Sequence, residues 1–402
     1  MIVFYRTTFS IGGVETLINR MSEWFLLKNE RVCLVVKTFD KNCYSTVINP
    51  LITMGVNFVV YKKQIYKFLK YEMKKDRKNY LFTFATIQPD AYIFARRLMR
   101  TVSEVDYMNI PLDILKFPYY RLDFFLQGIL LRKNFIWLAQ NAKNVYLDDY
   151  VSLEQFFKFK IDARFKLQLP MKLFSFDKEK CRHRYNKNEK IILAIARADF
   201  PFKGYLIGLL EKFTIWCKYD DKLRLVIISY GKDYDRLCEE KNKFNGFGYK
   251  ISILNNVAYK DIHKYYLDAY VYIGMGTSLL DAANESLVAI PVEINTYKLR
   301  SNDFWCNTNL ALGSLGNADN IDEMMKYVLS CEENEYVDLS WKTYNKLVEN
   351  FDINIIMNKI IDCCNYNKKI NLNYSGLLIS SILVNIKDAI KLMCKNLLAF
   401  RR

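Results

Sequence analysis

Residues 190–218, KIILAIARADFPFKGYLIGLLEKFTIWCK, decide the fold class because they combine one strand and one helix with a short turn between them. The apolar run at 190–196 is typical of a strand that is buried on both faces of a parallel sheet. After Gly204 the apolar residues recur at helical spacing. The turn carries Arg197 and Lys203. The stretch therefore predicts a strand–turn–helix unit with two cations at the carboxyl end of its strand.

The same alternation of strand and helix runs through most of the chain. A first series begins at Met1 and a second series covers residues 190–295. Alternation of this kind predicts parallel sheets with crossover helices. A polar stretch at 177–190 lies between the two series and is typical of a link. We therefore expect an α/β fold with two doubly wound, Rossmann-like domains that face a cleft, in which ligands bind beyond the carboxyl ends of the strands.

The composition limits the chemistry that the chain can perform. The chain has 402 residues, a net charge of +16, ten cysteines and two histidines. Two histidines are too few for a histidine-based triad or a His-rich metal centre, and there is no Cys-x-x-Cys pair. Scattered thiols, no signal-peptide pattern and no run of eighteen apolar residues predict a cytoplasmic protein. The cationic surplus suits anionic partners, and it equally fits lysines that keep an aromatic-rich protein in solution.

Two further strand-to-helix junctions have the residues of an anion site. The first places Gly12 and Gly13 before a helix, and the second places Gly276, Thr277 and Ser278 before another. A helix start offers N–H groups without partners inside the helix and the positive end of the helix dipole. Such a start binds phosphate, so we expect anionic ligands at both junctions.

The order and spacing of these junctions resemble a known family. The segments at 9–16, 193–204 and 273–283 read FSIGGVET, LAIARADFPFKG and IGMGTSLLDAA. They are similar to the Gly-Gly-x-Glu loop, the Arg…Lys-Gly junction, and the glycine turn with its carboxylate in GT-B-fold glycosyltransferases of the retaining group called family 4. The resemblance runs from Gly12 to about residue 365 and is strongest between 190 and 292.

The resemblance implies a nucleotide-sugar site without a metal. Arg197 and Lys203 would hold the donor diphosphate as catalytic residues, replacing a metal with positive side chains. The donor would be a sugar carried by UDP or GDP, and the leaving phosphate would take the proton of the acceptor, so no protein base is required. The implied donor-binding residues are Gly12, Gly13, Asn256, Gly276, Thr277, Ser278, Asp281 and Glu285.

The chain departs from the family pattern at several positions. Ala196 replaces the glycine that usually precedes the arginine, and Ile273 replaces an acidic residue that touches the transferred sugar. The ribose-binding carboxylate, usually Glu, would be Asp281, which we expect in the first turn of its helix, with Glu285 as a second candidate. The neighbourhood of the family's acceptor histidine offers two polar candidates, Gln88 and Asp90.

The resemblance also implies how the chain is divided into domains. It gives an acceptor domain at 1–180, a nucleotide-sugar domain at 181–340 and a crossover helix at 341–368 that packs back on the first domain. The residue pattern beyond the resemblance adds a basic amphipathic tail at 369–402. The expected function is transfer of a sugar from a nucleotide-sugar to a glycan or lipid-linked acceptor in surface polysaccharide synthesis, with retention and without a metal.

Two basic segments favour contact with an acidic membrane surface. Residues 61–78 interleave lysine with aromatic and aliphatic residues, and residues 377–397 place apolar residues on one helical face beside lysines. Basic amphipathic helices bind anionic membranes from one side. The same patterns also fit core-packing helices with solvated lysine edges. We expect a protein that is peripheral on the inner face of the membrane.

Other classes of function stay open at this stage. A dinucleotide-dependent enzyme is disfavoured because no G-x-G-x-x-G follows the first strand. A nucleic-acid protein is disfavoured because no recognised binding motif accompanies the basic stretches. The remaining alternative is a catalytically degenerate glycosyltransferase homologue or another anionic-ligand-binding protein.

Overall fold

The computed structural model describes residues 1–10, 12–41, 43–85, 89–111, 133, 136–147, 150, 153–154, 160–255, 257, 259–309, 312 and 319–366. The chain divides into two compact units. The first comprises Met1–Leu167 and the chain from Met357 onward, and the second comprises Gln168–Ile356. The second unit thus begins 13 residues before residue 181, where the sequence placed the start of the second domain.

The first unit is built on a five-stranded parallel sheet. Its strands are β1 (Ile2–Phe9), β2 (Val32–Phe39), β3 (Asn57–Val60), β4 (Tyr80–Thr83) and β5 (Asp106–Asn109). Their order is β3-β2-β1-β4-β5. The central strands are apolar and buried, as a parallel sheet covered on both faces requires. Phe4 and Phe82 from neighbouring strands pack against each other with ring centroids 5.6 Å apart, which places the core against this sheet.

Helices pack on the sheet of the first unit because each has an apolar stripe. The first helix buries Leu17, Ile18, Met21 and Phe25, which recur every three or four residues along one face. The α-helices are α1 (Gly13–Leu27), α2 (Asn49–Thr53), α3 (Ile65–Met73) and α4 (Pro89–Thr101). Shorter elements are a π-helical turn (Tyr44–Ile48), a 3-10 helix (Ala163–Phe165) and the paired strands β6 (Tyr146–Leu147) and β7 (Lys166–Leu167).

The second unit repeats the same architecture. Its strands are β8 (Lys190–Ile195), β9 (Leu223–Ser229), β10 (Ile251–Asn255), β11 (Val271–Gly274) and β12 (Val288–Pro291). They pair in parallel in the order β10-β9-β8-β11-β12. The predicted α/β fold with two doubly wound, Rossmann-like units is therefore confirmed.

The helices of the second unit connect its strands and extend beyond them. They are α5 (Lys178–Tyr185), α6 (Tyr205–Trp216), α7 (Tyr234–Asn242), α8 (Tyr259–Asp268), α9 (Thr277–Asn284), α10 (Ile321–Ser330) and α11 (Glu333–Phe351), followed by α12 (Ile353–Asn365). Two 3-10 helices cover Asn245–Lys250 and Trp305–Asn307. Helix α11 begins with a capping box. The Glu332 carboxylate accepts the backbone N–H of Glu335, and the Glu335 carboxylate accepts the backbone N–H of Glu332.

Two sequence expectations about the connections were wrong in detail. The polar stretch expected as a link at 177–190 contains α5, whose Asp177 caps it by accepting the backbone N–H of Lys180. The stretch at 341–368, expected as one crossover helix, is split in its described part between α11 and α12 at Asp352, whose backbone angles are not helical. The sequence did not indicate this helix because its buried residues are only Cys181 and Arg184, so it has no apolar periodicity.

The end of α12 packs within the first unit. The Lys143 ammonium donates to the carbonyl of Cys364 at 2.8 Å, and the Cys363 thiol donates to the carbonyl of Arg164 at 3.3 Å. The Arg164 guanidinium also lies 4.5 Å from the ring centroid of Tyr366. The carboxyl-terminal helix thereby becomes part of the first unit. The predicted tail at 369–402 lies outside the described residues.

Close backbone packing holds α6 against the segment after β12. A Cβ added at Gly208 would lie 2.7 Å from the carbonyl oxygen of Tyr297, and one at Gly204 would lie 2.7 Å from that of Thr296. Backbone atoms cannot move aside as a flexible side chain can, so glycine is required at both places. This contact fixes the start of α6, which directly follows Lys203.

We predict that Gly208→Ala destabilises the second unit by about 2 kcal/mol. Overpacking costs about 1–3 kcal/mol and exceeds the helix-propensity gain of alanine, which is at most about 1 kcal/mol. Gly246→Ala is the control, because an added Cβ there meets nothing within 4 Å. Urea unfolding followed by tryptophan fluorescence, to which the buried Trp216 and Trp305 of the second unit contribute, measures both variants. Equal midpoints for the two variants would contradict the packing argument.

Candidate functional site

The sheet order of the second unit brings two sequence-distant junctions together. Strands β8 and β11 are neighbours, and the chain leaves β8 toward β9 on one side and leaves β11 toward β12 on the other. The loops that follow such a pair diverge and open a crevice at the carboxyl edge of the sheet, which is where ligands bind in open α/β folds. Arg197 follows β8 by two residues, and Gly276 follows β11 by two residues. The structure thus places both predicted junctions at one switch point.

A chain of hydrogen bonds joins the two junctions. The Ser278 hydroxyl donates to the carbonyl of Ile195 at 3.0 Å, and the Tyr272 hydroxyl donates to the Ser278 oxygen at 2.6 Å. Burial raises the pKa of Tyr272, so its hydroxyl keeps the proton that it donates. The Ser278 hydroxyl therefore ties the start of α9 to the end of β8, and only the backbone N–H of this residue can point toward a ligand at the helix start.

The start of α9 has the geometry of an anion site. Gly276, rather than Thr277 or Ser278, is the N-cap, and its φ of 72° lies in the left-handed region that favours glycine. An added Cβ at Gly276 would meet nothing within 4 Å, so the space beside it is open. The N–H groups of Thr277 and Ser278 have no acceptor inside the helix, because they belong to its first turn. Together with the helix dipole they favour a phosphate.

The side chain of Arg197 lies over a glycine of the loop after β9. A Cβ at Gly231 would lie 2.7 Å from Cγ of Arg197, and the φ of Gly231 is 116°. The Arg197 side chain is 35% exposed, and its guanidinium lies 3.5 Å from a carboxylate oxygen of Asp199. Gly231 thus allows the stem of Arg197 to lie across the next loop and to keep its charged end accessible.

The loops after β8 and β9 are joined by backbone hydrogen bonds. The N–H of Ala198 donates to the carbonyl of Tyr230 at 2.7 Å, and the N–H of Phe200 donates to the Asp233 carboxylate at 2.7 Å. The N–H of Lys203 donates to the carbonyl of Asp199 at 2.9 Å. Lys203 is half-buried at the end of this turn, just before α6. The turn that carries both predicted catalytic residues is therefore a rigid extension of the sheet edge.

The two candidate ribose carboxylates lie in different places. Asp281 is half-buried in the second turn of α9, which corrects the expectation of the first turn. Glu285 follows the last residue of α9, about 12 Å along the axis from its start, at the amino edge of the sheet beside β12. The structure therefore does not bring Glu285 to the switch point.

A structural role accounts for Glu285. Its carboxylate is buried, at 3% exposure, between the Lys180 ammonium at 3.2 Å and Nδ1 of His263 at 2.6 Å. The nearby Arg184 is 1% exposed and donates to the carbonyls of Tyr266 and Glu285. A buried carboxylate needs such partners, so this group of charges closes the amino edge of the second unit.

A half-buried lysine holds the 3-10 helix at Trp305–Asn307, which precedes the residue that contacts Gly276. The N–H of Gly276 donates to the carbonyl of Leu312 at 2.8 Å. Upstream of Leu312, the Lys346 ammonium donates to the carbonyls of Trp305 and Thr308, at the end of a 3-10 helix. Burial lowers the pKa of Lys346 to about 8. Sequence reasoning missed Lys346, because nothing in a helical lysine pattern indicates which lysine turns inward.

The corresponding junction of the first unit contains its own anion. Gly12 is the N-cap of α1 in extended conformation, and the carboxylate of Glu15, 3% exposed, accepts the N–H of Ser10 at 3.3 Å. The Arg6 guanidinium lies 3.8 Å from this carboxylate and donates to the carbonyl of Phe84 at 2.6 Å. Arg6 therefore links the loops after β1 and β4, which are the switch-point strands of this sheet.

The remaining predicted residues have simpler outcomes. Asp90 forms an ion pair with Lys37 at 2.5 Å, within the first unit. Ile273 is fully buried in β11, so this position offers an apolar side chain in place of a carboxylate. Gln88 and Asn256 lie outside the described residues. Within the described residues, no group of three or more His, Cys, Asp or Glu side chains could hold a metal ion.

Known proteins share this fold at low sequence identity. HepE of Anabaena, solved with UDP and glucose, superposes with a TM-score of 0.63 at 12% identity over 91% of this chain and 99% of HepE. A TarM variant of S. aureus, solved with UDP, Fondaparinux and alpha-GlcNAc-glycerol, gives 0.61 at 13% identity over 90% and 99% of the two chains. WaaG, a glycosyltransferase involved in lipopolysaccharide biosynthesis, gives 0.54 at 11% identity over 91% and 100%.

The chain has the GT-B fold. Identities of 11–13% establish a common fold and leave the activity to be argued from the site. No protein-family model matches the sequence, and no curated protein matches it at a significant level. The predicted fold is therefore confirmed by structural likeness, which covers nine-tenths of the chain.

We predict that Lys346 makes the stability of the second unit depend on pH. Its pKa is about 8 when folded and about 10.5 when unfolded, so between these values only the unfolded chain binds the proton. The unfolding free energy of the native protein, relative to Lys346→Met, should therefore rise as the pH increases from 8 to 10.5. Urea unfolding at a series of pH values measures this difference.

Lys342→Met is the matched control on the same helix. A hydrogen bond from the exposed Lys342 to Asp338 raises the pKa of Lys342. The unfolding free energy of the native protein relative to this variant should therefore not rise between pH 8 and 10.5. A flat or falling difference for Lys346→Met over the same range would refute its assignment as a half-buried lysine with a lowered pKa.

Proposed function

We propose that this protein transfers a sugar from a nucleotide-sugar to a glycan or lipid-linked acceptor. The observation that carries the proposal is that the Arg197 turn and the open start of α9 follow two neighbouring strands, β8 and β11, and are joined by the hydrogen bond from Ser278 to Ile195. Fixed cations beside a helix start form a site for a diphosphate. The solved structures with this fold support the proposal, because two of them contain UDP.

The proposed chemistry is stabilisation of a departing diphosphate. Arg197 offers a rigid fork of donors, Lys203 offers a mobile point charge, and the N–H groups of Thr277 and Ser278 offer fixed dipoles. These groups stabilise the negative charge that grows on the leaving group in the transition state. We propose that the transfer proceeds with retention and without a metal, as in family 4, with the leaving phosphate accepting the proton of the acceptor.

We propose different roles for the other predicted donor residues. Asp281 is retained as the ribose-binding carboxylate, and Glu285 is assigned to the charge cluster at the opposite edge of the sheet. Gly12 and Gly13 stay a prediction, since the carboxylate of Glu15 already lies at the start of α1. Asn256, expected near the base, also stays a prediction.

The exposed face of α3 supports an acidic membrane surface as a partner. Ile65, Leu69 and Met73 turn inward, and Arg31 pairs with Glu72 and Asp76, which removes the acidic charge from this face. The exposed cations on and beside α3 are Lys62, Lys63, Lys67, Lys70, Lys74, Lys75, Arg77 and Lys78. In the described part of the chain no helix is long and apolar enough to cross a membrane. We therefore propose peripheral attachment and a role in surface polysaccharide synthesis.

The alternative function is binding of a nucleotide-sugar or another anionic ligand without transfer. The observation that favours it is the buried Ile273, which stands where the family has an acidic residue beside the transferred sugar. Nucleotide release from a panel of UDP- and GDP-sugars, with and without glycan acceptors, separates the two functions. Tight binding of a donor without release of its nucleotide would select the alternative.

We predict that Arg197→Ala and Lys203→Ala each lower the rate of sugar transfer by at least about a hundred-fold, because each removes a charge from the leaving group. Arg224→Ala is the control, since Arg224 is similarly exposed at 32% but lies at the start of β9 and pairs with Glu189. Donor turnover and circular dichroism are measured together. Near-normal transfer by both site variants would show that the catalytic assignment is wrong.

We predict that reversing three charges on α3 weakens attachment to anionic membranes. The triple variant Lys67→Glu, Lys70→Glu and Lys74→Glu should lower binding to phosphatidylglycerol vesicles by at least about ten-fold, since each cation near such a surface contributes about 1 kcal/mol. Co-sedimentation with these vesicles measures the change, with phosphatidylcholine vesicles as the neutral reference.

The matched control for α3 reverses the same number of exposed lysines in the second unit: Lys218, Lys222 and Lys243. It changes the net charge by the same amount but leaves α3 intact. Equal losses in the two triple variants would assign the attraction to total charge and would contradict a docking role for α3.

A further inference from the structure

A third cation lies beside Arg197, on the loop after β9. The Lys232 ammonium is 3.1 Å from Oδ1 of Asp199, and the Arg197 guanidinium is 3.5 Å from Oδ2 of the same carboxylate. Asp199 therefore lies between the two cations. Lys232 was not among the residues that the sequence pointed to, because its loop is adjacent to the Arg197 turn only after β8 and β9 have paired.

The backbone around Lys232 is anchored on both sides. Gly231 precedes it with positive φ beneath the stem of Arg197. Asp233 follows it, donates its N–H to the carbonyl of Ala198 at 3.2 Å and accepts the N–H of Phe200. The position of Lys232 in the loop is thus fixed, while its side chain is 67% exposed. Because the backbone is fixed and the ammonium is accessible, the Lys232 side chain can reach a ligand that is bound to the neighbouring Arg197.

The ion pair between Lys232 and Asp199 has little structural value. An exposed pair of this kind contributes almost nothing to the stability of a fold, because water and salt screen it. The hydrogen bond from Lys232 to Asp199 raises the pKa of Lys232, so the ammonium is charged at neutral pH. We therefore expect the fold to tolerate loss of Lys232, whose exposed ammonium is available to an anion.

We infer that Lys232 binds the diphosphate of the donor together with Arg197, and that Asp199 is the internal counter-ion that the diphosphate replaces. The inference rests on the proposed function, since it concerns the same nucleotide-sugar site. Without ligand, the carboxylate of Asp199 lies against both cations, and an oxygen of the Asp233 carboxylate lies 3.9 Å from the Lys232 ammonium. A diphosphate brings more negative charge and more acceptor oxygens than one carboxylate, so both cations turn to it.

Calorimetry with UDP, GDP and their nucleosides tests the role of Lys232. Lys232→Met should weaken binding of the diphosphate that the native protein prefers by about five-fold, as loss of one partly exposed charge contact predicts. Binding of the nucleoside should not change. Lys243→Met is the matched control, because Lys243 is 65% exposed and pairs with Glu240 at 2.6 Å in the neighbouring helix. The control variant should bind both ligands as the native protein does.

The variant Asp199→Asn tests the counter-ion role of Asp199, because it should increase the affinity for the diphosphate. The asparagine amide keeps one acceptor oxygen, which can serve only one of the two cations, and the negative charge that competes with the diphosphate is gone. Diphosphate binding should become about three-fold tighter, with a smaller effect at high salt, because the lost repulsion is electrostatic. A gain of this kind cannot come from misfolding.

Specific outcomes overturn the inference. Unchanged diphosphate affinity in Lys232→Met, or an equal loss for the nucleoside, would exclude a phosphate contact. Unchanged or weaker binding in Asp199→Asn would exclude the counter-ion role. If the native protein binds neither UDP, GDP nor inorganic pyrophosphate, both the inference and the proposed function fail. If it binds a diphosphate through Lys232 but transfers no sugar from any donor, only the proposed transfer fails.

Discussion

The pairing of β8 with β11 is the constraint on which the rest of the second unit depends. These strands are about 80 residues apart in the chain, yet Ile192 pairs with Val271 and Leu193 with Tyr272. The pairing creates the switch point, sets the Arg197 turn beside the start of α9, and lets the Ser278 hydroxyl reach the carbonyl of Ile195. Without it, the same residues would be unrelated loop cations and an ordinary helix start.

Close backbone contacts turn that pairing into a rigid site. Gly204 and Gly208 let α6 lie directly on the segment after β12, and Gly231 lets the stem of Arg197 cross the neighbouring loop. A side chain at any of these positions would clash with a neighbouring backbone segment. The segments are therefore closely packed and leave the site little room to move. Rigid placement matters for the proposed chemistry, because fixed charges stabilise a leaving group without reorganising.

The positive charges of the chain have distinct physical roles. The buried Arg184 and the half-buried Lys346 donate to carbonyl groups and hold segments in place. The lysines of α3 form a solvated face, while Arg197 and Lys232 share a carboxylate at the carboxyl edge of a sheet. Total charge therefore indicates an anionic partner but does not locate it. The binding site is located by identifying the cations that have no structural role. Burial and hydrogen bonding show which cations have such a role.

The sequence by itself determined the fold class, the strand–turn–helix units and the junctions at Arg197 and Gly276, because these depend on local periodicity and on the special backbone needs of glycine. It did not predict that Glu285 closes the opposite edge, that Asp281 lies in the second turn, or that residues 177–190 contain a helix. Only the tertiary structure decided these points and revealed Lys232, Asp199 and Lys346. The physical reason is that a charged side chain acquires its role from neighbours distant in sequence, which strand pairing and packing supply.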